Sequence, residues 1–210
     1  MHQTAPLPLR LSGLAALLAG VIFILIQPFH PADHIDSLGT PAWTITQSLK
    51  FVMSVLFLFG VSGLYGRQLR ASGWLGLIGF IALFASWALQ AAYVFANAFI
   101  APVLVGVAPE FVTSWLGIIN GDAATVDLGV LPGLYGVAGM LYLLGGLLFG
   151  LATYFAKVFP KAPALLLAVG AVLPIALGPV MAHPLDRLLA VPVGLGLAWL
   201  GSLLVRAQAA

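Results

Sequence analysis

The sequence predicts an all-α, polytopic membrane bundle of six transmembrane helices with both termini cytoplasmic, and three observations predict it. First, 62% of the 210 residues are hydrophobic and 7% are charged, with a mean hydropathy of +1.12. Soluble domains carry about 25% charged residues, so these charges are too few to cover a surface in water. Second, the apolar runs are continuous, whereas barrel strands alternate apolar and polar residues over about ten positions. Only helices and closed barrels satisfy the backbone in lipid, so the runs read as helices. Third, charge sorts by side. With six spans, Arg10, Arg67, Arg70, Lys157, Lys161 and Arg206 share one face, and only Lys50 and Arg187 lie on the other. All six acids (Asp33, Asp36, Glu110, Asp122, Asp127 and Asp186) fall on that other face. An excess of Lys and Arg marks the cytoplasmic side.

The elements follow in order, each close to the roughly 20 apolar residues that a span needs. The first covers about residues 9–27. It begins like a signal peptide, but Gln27-Pro28-Phe29-His30 stands where small cleavage residues would be, so it reads as a retained helix. The second covers about 46–66. A short inner turn, Arg67 to Ser72, separates it from the third, about 73–99. An outer loop, 100–130, carries Phe111, Trp115, Ile118 and Ile119 at helical spacing. This predicts a short interfacial helix, ended by Asn120-Gly121-Asp122. The fourth span is about 131–156. Lys157 to Lys161 turns the chain into the fifth, about 162–181, which Pro174 and Pro179 interrupt. The sixth is about 188–205. The whole chain reads as one transmembrane domain. Gly145, Gly146, Gly194, Gly196 and Gly201 are expected to let helices approach closely.

A weak repeat joins Ser12-Gly13-Leu14 through Gly20-Val21-Ile22-Phe23 to Ala138-Gly139-Met140 through Gly146-Leu147-Leu148-Phe149. Three spans repeated after three spans would be inverted, as in many transporters.

The residues that could carry chemistry gather on the acidic face. His30-Pro31-Ala32-Asp33 and His183-Pro184-Leu185-Asp186 each follow an outgoing apolar segment and use two of only four histidines. If a helical turn begins at Pro31, His30 caps it and His34 lies one turn on. Three imidazoles (His30, His34 and His183) with Asp33 and Asp186 match the donor set of a divalent metal such as zinc. The competing reading is that each motif only turns the chain at the membrane surface, with Pro ending one helix and Asp capping the next. A second group lies inside the spans. Gln90, Tyr93 and Asn97 fall on one face of the third helix with Trp87 one turn earlier, and either line an outward-opening pocket or bond to neighbouring helices. Lys50 near an outer helix end either pairs with Asp33 or Asp36, or snorkels to the interface. Arg187, directly after Asp186, reads as a snorkelling cation in the same way.

Several classes are excluded. There is no cysteine, hence no disulfide, thiolate ligand or Cys nucleophile. Basic residues stand singly or in pairs, so no stretch tracks nucleic-acid phosphates. There is no phosphate-binding Gly-Lys-Ser/Thr loop, no Gly-x-Ser-x-Gly turn and no ladder of arginines.

Pro41-Ala42-Trp43, Gly63-Leu64-Tyr65-Gly66-Arg67-Gln68, Gly73-Trp74-Leu75-Gly76-Leu77-Ile78-Gly79-Phe80, Ala108-Pro109-Glu110 and Gly196-Leu197-Ala198-Trp199-Leu200-Gly201 together resemble a family of small bacterial multi-pass membrane proteins of unknown function. The resemblance spans most of the chain. It implies a helical bundle in the bacterial cytoplasmic membrane, a His after the first span, as at His30, and a His at the position of Gln47.

Three functions are therefore expected, in this order. One is a binding or accessory protein whose rim holds a metal, haem or a small apolar ligand, including lipid, without turnover. Another is a zinc-dependent, membrane-embedded lipid hydrolase using His30, His34 and His183. The third is a small inverted-repeat transporter.

Overall fold

A computed structural model describes residues 6–181 and 185–206. His183 and Pro184 lie outside the described residues, so Asp186 alone represents the polar part of the second motif. Among the described residues the structure is all helical. The helices are α1 (Leu7–Leu25), α2 (Pro41–Phe95), α3 (Ala101–Leu104), α4 (Pro109–Gly117), α5 (Leu131–Ala156), α6 (Lys161–Leu177) and α7 (Val191–Arg206).

The long α2 is a hairpin, not a rod. At Gly73 the backbone takes φ 55° and ψ −155°, a region that only glycine occupies without strain. The two arms, 41–72 and 74–95, then run back along one another. Tyr65 stacks on Phe80 at 4.5 Å, Phe57 on Trp87 at 4.1 Å, and Phe51 meets Phe95 edge-on at 5.5 Å. Each pair is centred on Gly73, as an antiparallel hairpin requires. The expected inner turn of six residues is thus a single-residue reversal, because helix continues through Arg67 and Ser72 on one side and restarts at once on the other.

With α2 counted as two arms, six helical arms form a closed up-and-down ring. Each packs on its neighbours in sequence, and α7 closes onto α1. Small residues set the spacing. A Cβ on Gly20 would lie 2.5 Å from the Ala198 nitrogen, and one on Gly13 would lie 2.8 Å from the Val205 nitrogen. Gly60 meets Ala16, Gly145 meets Leu83, Gly150 meets Ala168 and Gly196 meets Pro163 with the same closeness. This is how helices associate where lipid removes the hydrophobic drive between them. All five glycines expected to permit close packing do so: a side chain on any of them would clash. The proposed repeat finds no such support at Gly139. Nothing lies within 4 Å of a Cβ there, whereas its counterpart Gly13 is pressed against α7.

Inside the ring, Phe57, Trp87, Phe149, Leu167, Leu197 and Leu200 are almost fully buried. Outside it, large apolar side chains face outward along every arm, among them Leu11, Phe59, Ile81, Leu144, Val169 and Leu195. Soluble monomers do not expose such continuous apolar surface. Among the described residues, four apolar segments are long enough to cross a bilayer: Leu7–Phe29, Pro41–Leu104, Leu131–Ala156 and Leu185–Arg206. Lys161–Leu177 is a shorter apolar helix. It is cut short where Gly178–Val180 tightens into a 3-10 turn. A second 3-10 turn, Leu185–Ala190, precedes α7.

The two ends of the ring differ. One carries Arg67 and Arg70 below the hairpin turn, the Lys157–Lys161 connection and Arg206. Gln68 donates to Thr153 at 2.8 Å and joins α2 to α5 at this end. The other end carries three long connections and all six acids. The candidate site lies at that end.

Candidate functional site

A helix breaker shapes the acidic end. Pro102 has no N–H for the carbonyl of Ala98 and crowds it, and the chain widens into a π turn over Ala96–Ile100. Such turns recur at functional sites. The widening turns the Asn97 carbonyl toward Trp43, whose indole N–H donates to it at 3.0 Å. That bond joins the start of the hairpin to its end. The short helix α4 forms where the sequence places it. The face it buries, Val112, Trp115 and Leu116, packs with Trp43, Ala101 and Leu128. Trp115 sits edge-on to Tyr93 at 5.9 Å, and the Tyr93 hydroxyl donates to the Trp115 carbonyl at 3.4 Å.

Beneath this cap lies a cavity of about 470 Å³. Its walls are mostly apolar and aromatic: Phe23, Ile26, Met53, Trp87, Tyr93, Leu134 and Tyr135. Gln90 and Asn97 also line it. So all four residues grouped on one face of the third span border a single cavity, and Lys50 borders it too. Gln90 donates to Ser86 at 3.1 Å, and Ser86 donates to the Ala138 carbonyl at 2.8 Å. The cavity wall is thereby cross-linked between the hairpin and α5.

The polar pole of the cavity is built from His30, Asp33, Lys50, Asp186 and Arg187. His30 is buried in extended backbone, with φ −70° and ψ 115°. Its Nδ1 lies 2.7 Å from the Pro31 carbonyl, which can only accept. Nδ1 therefore carries the proton, and Nε2 accepts from the Lys50 ammonium at 2.9 Å. Burial, reinforced by the charges of Lys50 and Arg187, pushes the His30 pKa from 6.5 down to about 3, against the opposing pull of Asp33 and the Pro31 carbonyl. The imidazole is neutral at neutral pH.

Asp33 is the hub of the rim. Arg187 Nη2 lies 3.1 Å from its Oδ2 across 154 residues of sequence. Asn120 donates to the Asp33 carbonyl at 3.1 Å. One residue thus ties together all three long connections. Arg187 also approaches Asp186 at 3.8 Å. An outer recess of about 450 Å³ shares Asp33, Ile119, Asp186 and Arg187 with the cavity, so these residues form the wall between them.

The expected helical turn at Pro31 is absent. The turn begins at Ile35, and His34 is its cap, with Nδ1 accepting from the Asp36 N–H at 3.4 Å. Instead the chain bends at Asp33, where the His34 N–H donates to the Ala32 carbonyl at 2.8 Å, and His30 is buried while His34 faces outward. The His34 side chain is 58% exposed. Among the described residues, no three His, Asp or Glu side chains converge as a metal-holding group. His183 is outside that set.

Sequence reasoning gave Lys50 either a carboxylate or the interface, and read Arg187 as a snorkelling cation. The structure gives Asp33 to Arg187 and a neutral imidazole to Lys50. The signal was faint. Lys50 and Arg187 are the only bases on the acidic face, but nothing in their spacing reveals which acid each would meet. Tyr135, Met53 and Gln27 also line the cavity and were missed. They sit at ordinary helix positions, and only tertiary packing turns them inward.

Comparison with known protein families, characterised proteins and solved structures finds no match.

Proposed function

We propose that this protein crosses the bacterial cytoplasmic membrane six times, with both termini in the cytoplasm, and holds one small, largely apolar molecule in the cavity at its outer end. The cavity itself carries the reading. Its volume falls in the range that encloses a drug-sized ligand, and its apolar walls with a few convergent polar groups are the usual composition of such sites. The asymmetry of charge supports the orientation: basic residues crowd the end away from the cavity, as positive-inside requires. The setting agrees with the resemblance to small bacterial multi-pass proteins.

A bound ligand suits the cavity better than a metal at His30. Both ring nitrogens already have partners, and the Lys50 ammonium occupies the Nε2 side where a cation would have to bind. Coulomb repulsion between a divalent ion and an adjacent ammonium opposes that exchange.

Two experiments test the proposal. The neutral fluorophore 1-aminoanthracene, titrated into protein held in lipid nanodiscs, is expected to bind saturably at one site. Leu134→Trp, which fills the cavity, should abolish the saturable component. Binding that never saturates, or is the same in both proteins, overturns the cavity reading. For topology, a single cysteine at Asp36 should react with an impermeant maleimide in intact cells, and one at Arg70 only after permeabilisation. Labelling of both from the same side defeats the orientation.

A further inference from the structure

We propose that the molecule held in this cavity is an amphipathic anion: an apolar body with one carboxylate or phosphate head that pairs with Lys50. The inference rests on the cavity reading above and adds the chemical class of the ligand.

Charge distribution is the first ground. Arg187 draws both rim carboxylates, Asp33 at 3.1 Å and Asp186 at 3.8 Å. Among the described residues no Asp or Glu lies within 4.0 Å of Lys50. Its hydrogen-bond partner is the neutral imidazole of His30, and the Coulombic pull of Asp33 reaches it from beyond 4.0 Å, with that carboxylate already paired to Arg187. Lys50 borders the cavity, so the positive end of the pole faces a mostly apolar space. A charge in such surroundings needs an opposite charge or it is costly to keep. An anionic head entering the cavity supplies it.

Spare donor protons are the second ground. Lys50 gives one N–H to His30 Nε2, and an ammonium carries three and can only donate. A ligand head rich in acceptor atoms takes up the remainder, and a carboxylate or phosphate is such a group. The aromatic walls fit its apolar body, and the volume of about 470 Å³ admits one chain or fused-ring body.

The experiment is competition against bound 1-aminoanthracene in nanodiscs at pH 7, using dodecanoate, dodecyl phosphate and dodecanol. The three share a chain and differ in head. In the unaltered protein at least one of the two anions should compete about tenfold or more better than the alcohol, and which of them leads tells a carboxylate ligand from a phosphate one. Lys50→Met should bring the better anion down to the alcohol's level, while Lys50→Arg should keep the preference. Thermal unfolding of each variant shows whether it is folded, and the ratio in the unaltered protein needs no variant. If the fluorophore binds saturably but anions and alcohol compete equally, the anionic ligand is refuted and the cavity reading stands. If the preference survives in folded Lys50→Met, the role of Lys50 is refuted. If the fluorophore itself shows no saturable binding, the cavity reading fails and this inference falls with it.

Discussion

Replacing Arg187 with Met strands the most connected carboxylate in the protein. The side chain of Asp33 is 2% exposed, and that of Arg187 is 22% exposed. Met keeps much of the apolar stem volume and removes only the guanidinium, so the change isolates the charge. Breaking a fully buried ion pair by deleting one partner costs about 3–5 kcal/mol, because the other charge is left uncompensated. Arg187 is about one-fifth open to solvent, which trims the effect, and Asn120 still holds the Asp33 main chain. The expected loss is therefore roughly 2–4 kcal/mol. Asp33→Asn in the Arg187→Met background removes the stranded charge and should recover about 1–2 kcal/mol. Equilibrium unfolding in mixed micelles, followed by tryptophan fluorescence and far-ultraviolet circular dichroism, measures all four corners of the cycle. The reasoning is refuted if Arg187→Met lies within about 0.5 kcal/mol of the unaltered protein. It is equally refuted if the double variant is as unstable as the sum of the singles.

Three further outcomes are expected. Because His30 is held neutral until about pH 3 while an unfolded histidine titrates near 6.5, the unfolded state binds one more proton between those values. Stability should then fall as pH drops from about 6.5 toward 3, with a slope approaching 1.4 kcal/mol per unit for this one group. His30→Gln should flatten that part of the profile, and an unchanged slope would show that other groups cause it. Gly20→Val should destabilise by about 1–3 kcal/mol, because a Cβ there meets the α7 backbone. Gly139→Ala, in open space, should be neutral or stabilise by up to about 1 kcal/mol; equal effects in thermal melts would contradict the packing described. Gly73→Ala forces a side chain into the hairpin's reversal and should cost about 1–3 kcal/mol, with no loss if the arms are joined some other way.

The helical class, the apolar segments and the separation of acids from bases were all legible in the sequence, because they depend on composition and on order along the chain. So were the close-packing glycines and α4. The hairpin turn was only half legible. Gly73 stood at the head of a span, yet residues 67–72 read as a loop because charged residues cluster there, and the helix carries those charges at its end without breaking.

The cavity was legible as a face and illegible as a volume. Trp87, Gln90, Tyr93 and Asn97 share a helix face by periodicity alone. Whether that face meets a neighbouring helix or an empty space depends on what stands opposite, and Leu134 and Tyr135 of α5 stand there through packing between distant segments.

By itself, the sequence determined an apolar helical bundle with its acids at one end, because hydropathy and charge act locally and need no partner. Only the tertiary structure decided which cation meets which acid. Asp33 and Arg187 are 154 residues apart, and Lys50 was left to a neutral histidine by the way three connections close over one rim. Short-range pattern cannot encode that choice, since the energy of an ion pair depends on distance and burial that exist only once the ring is closed.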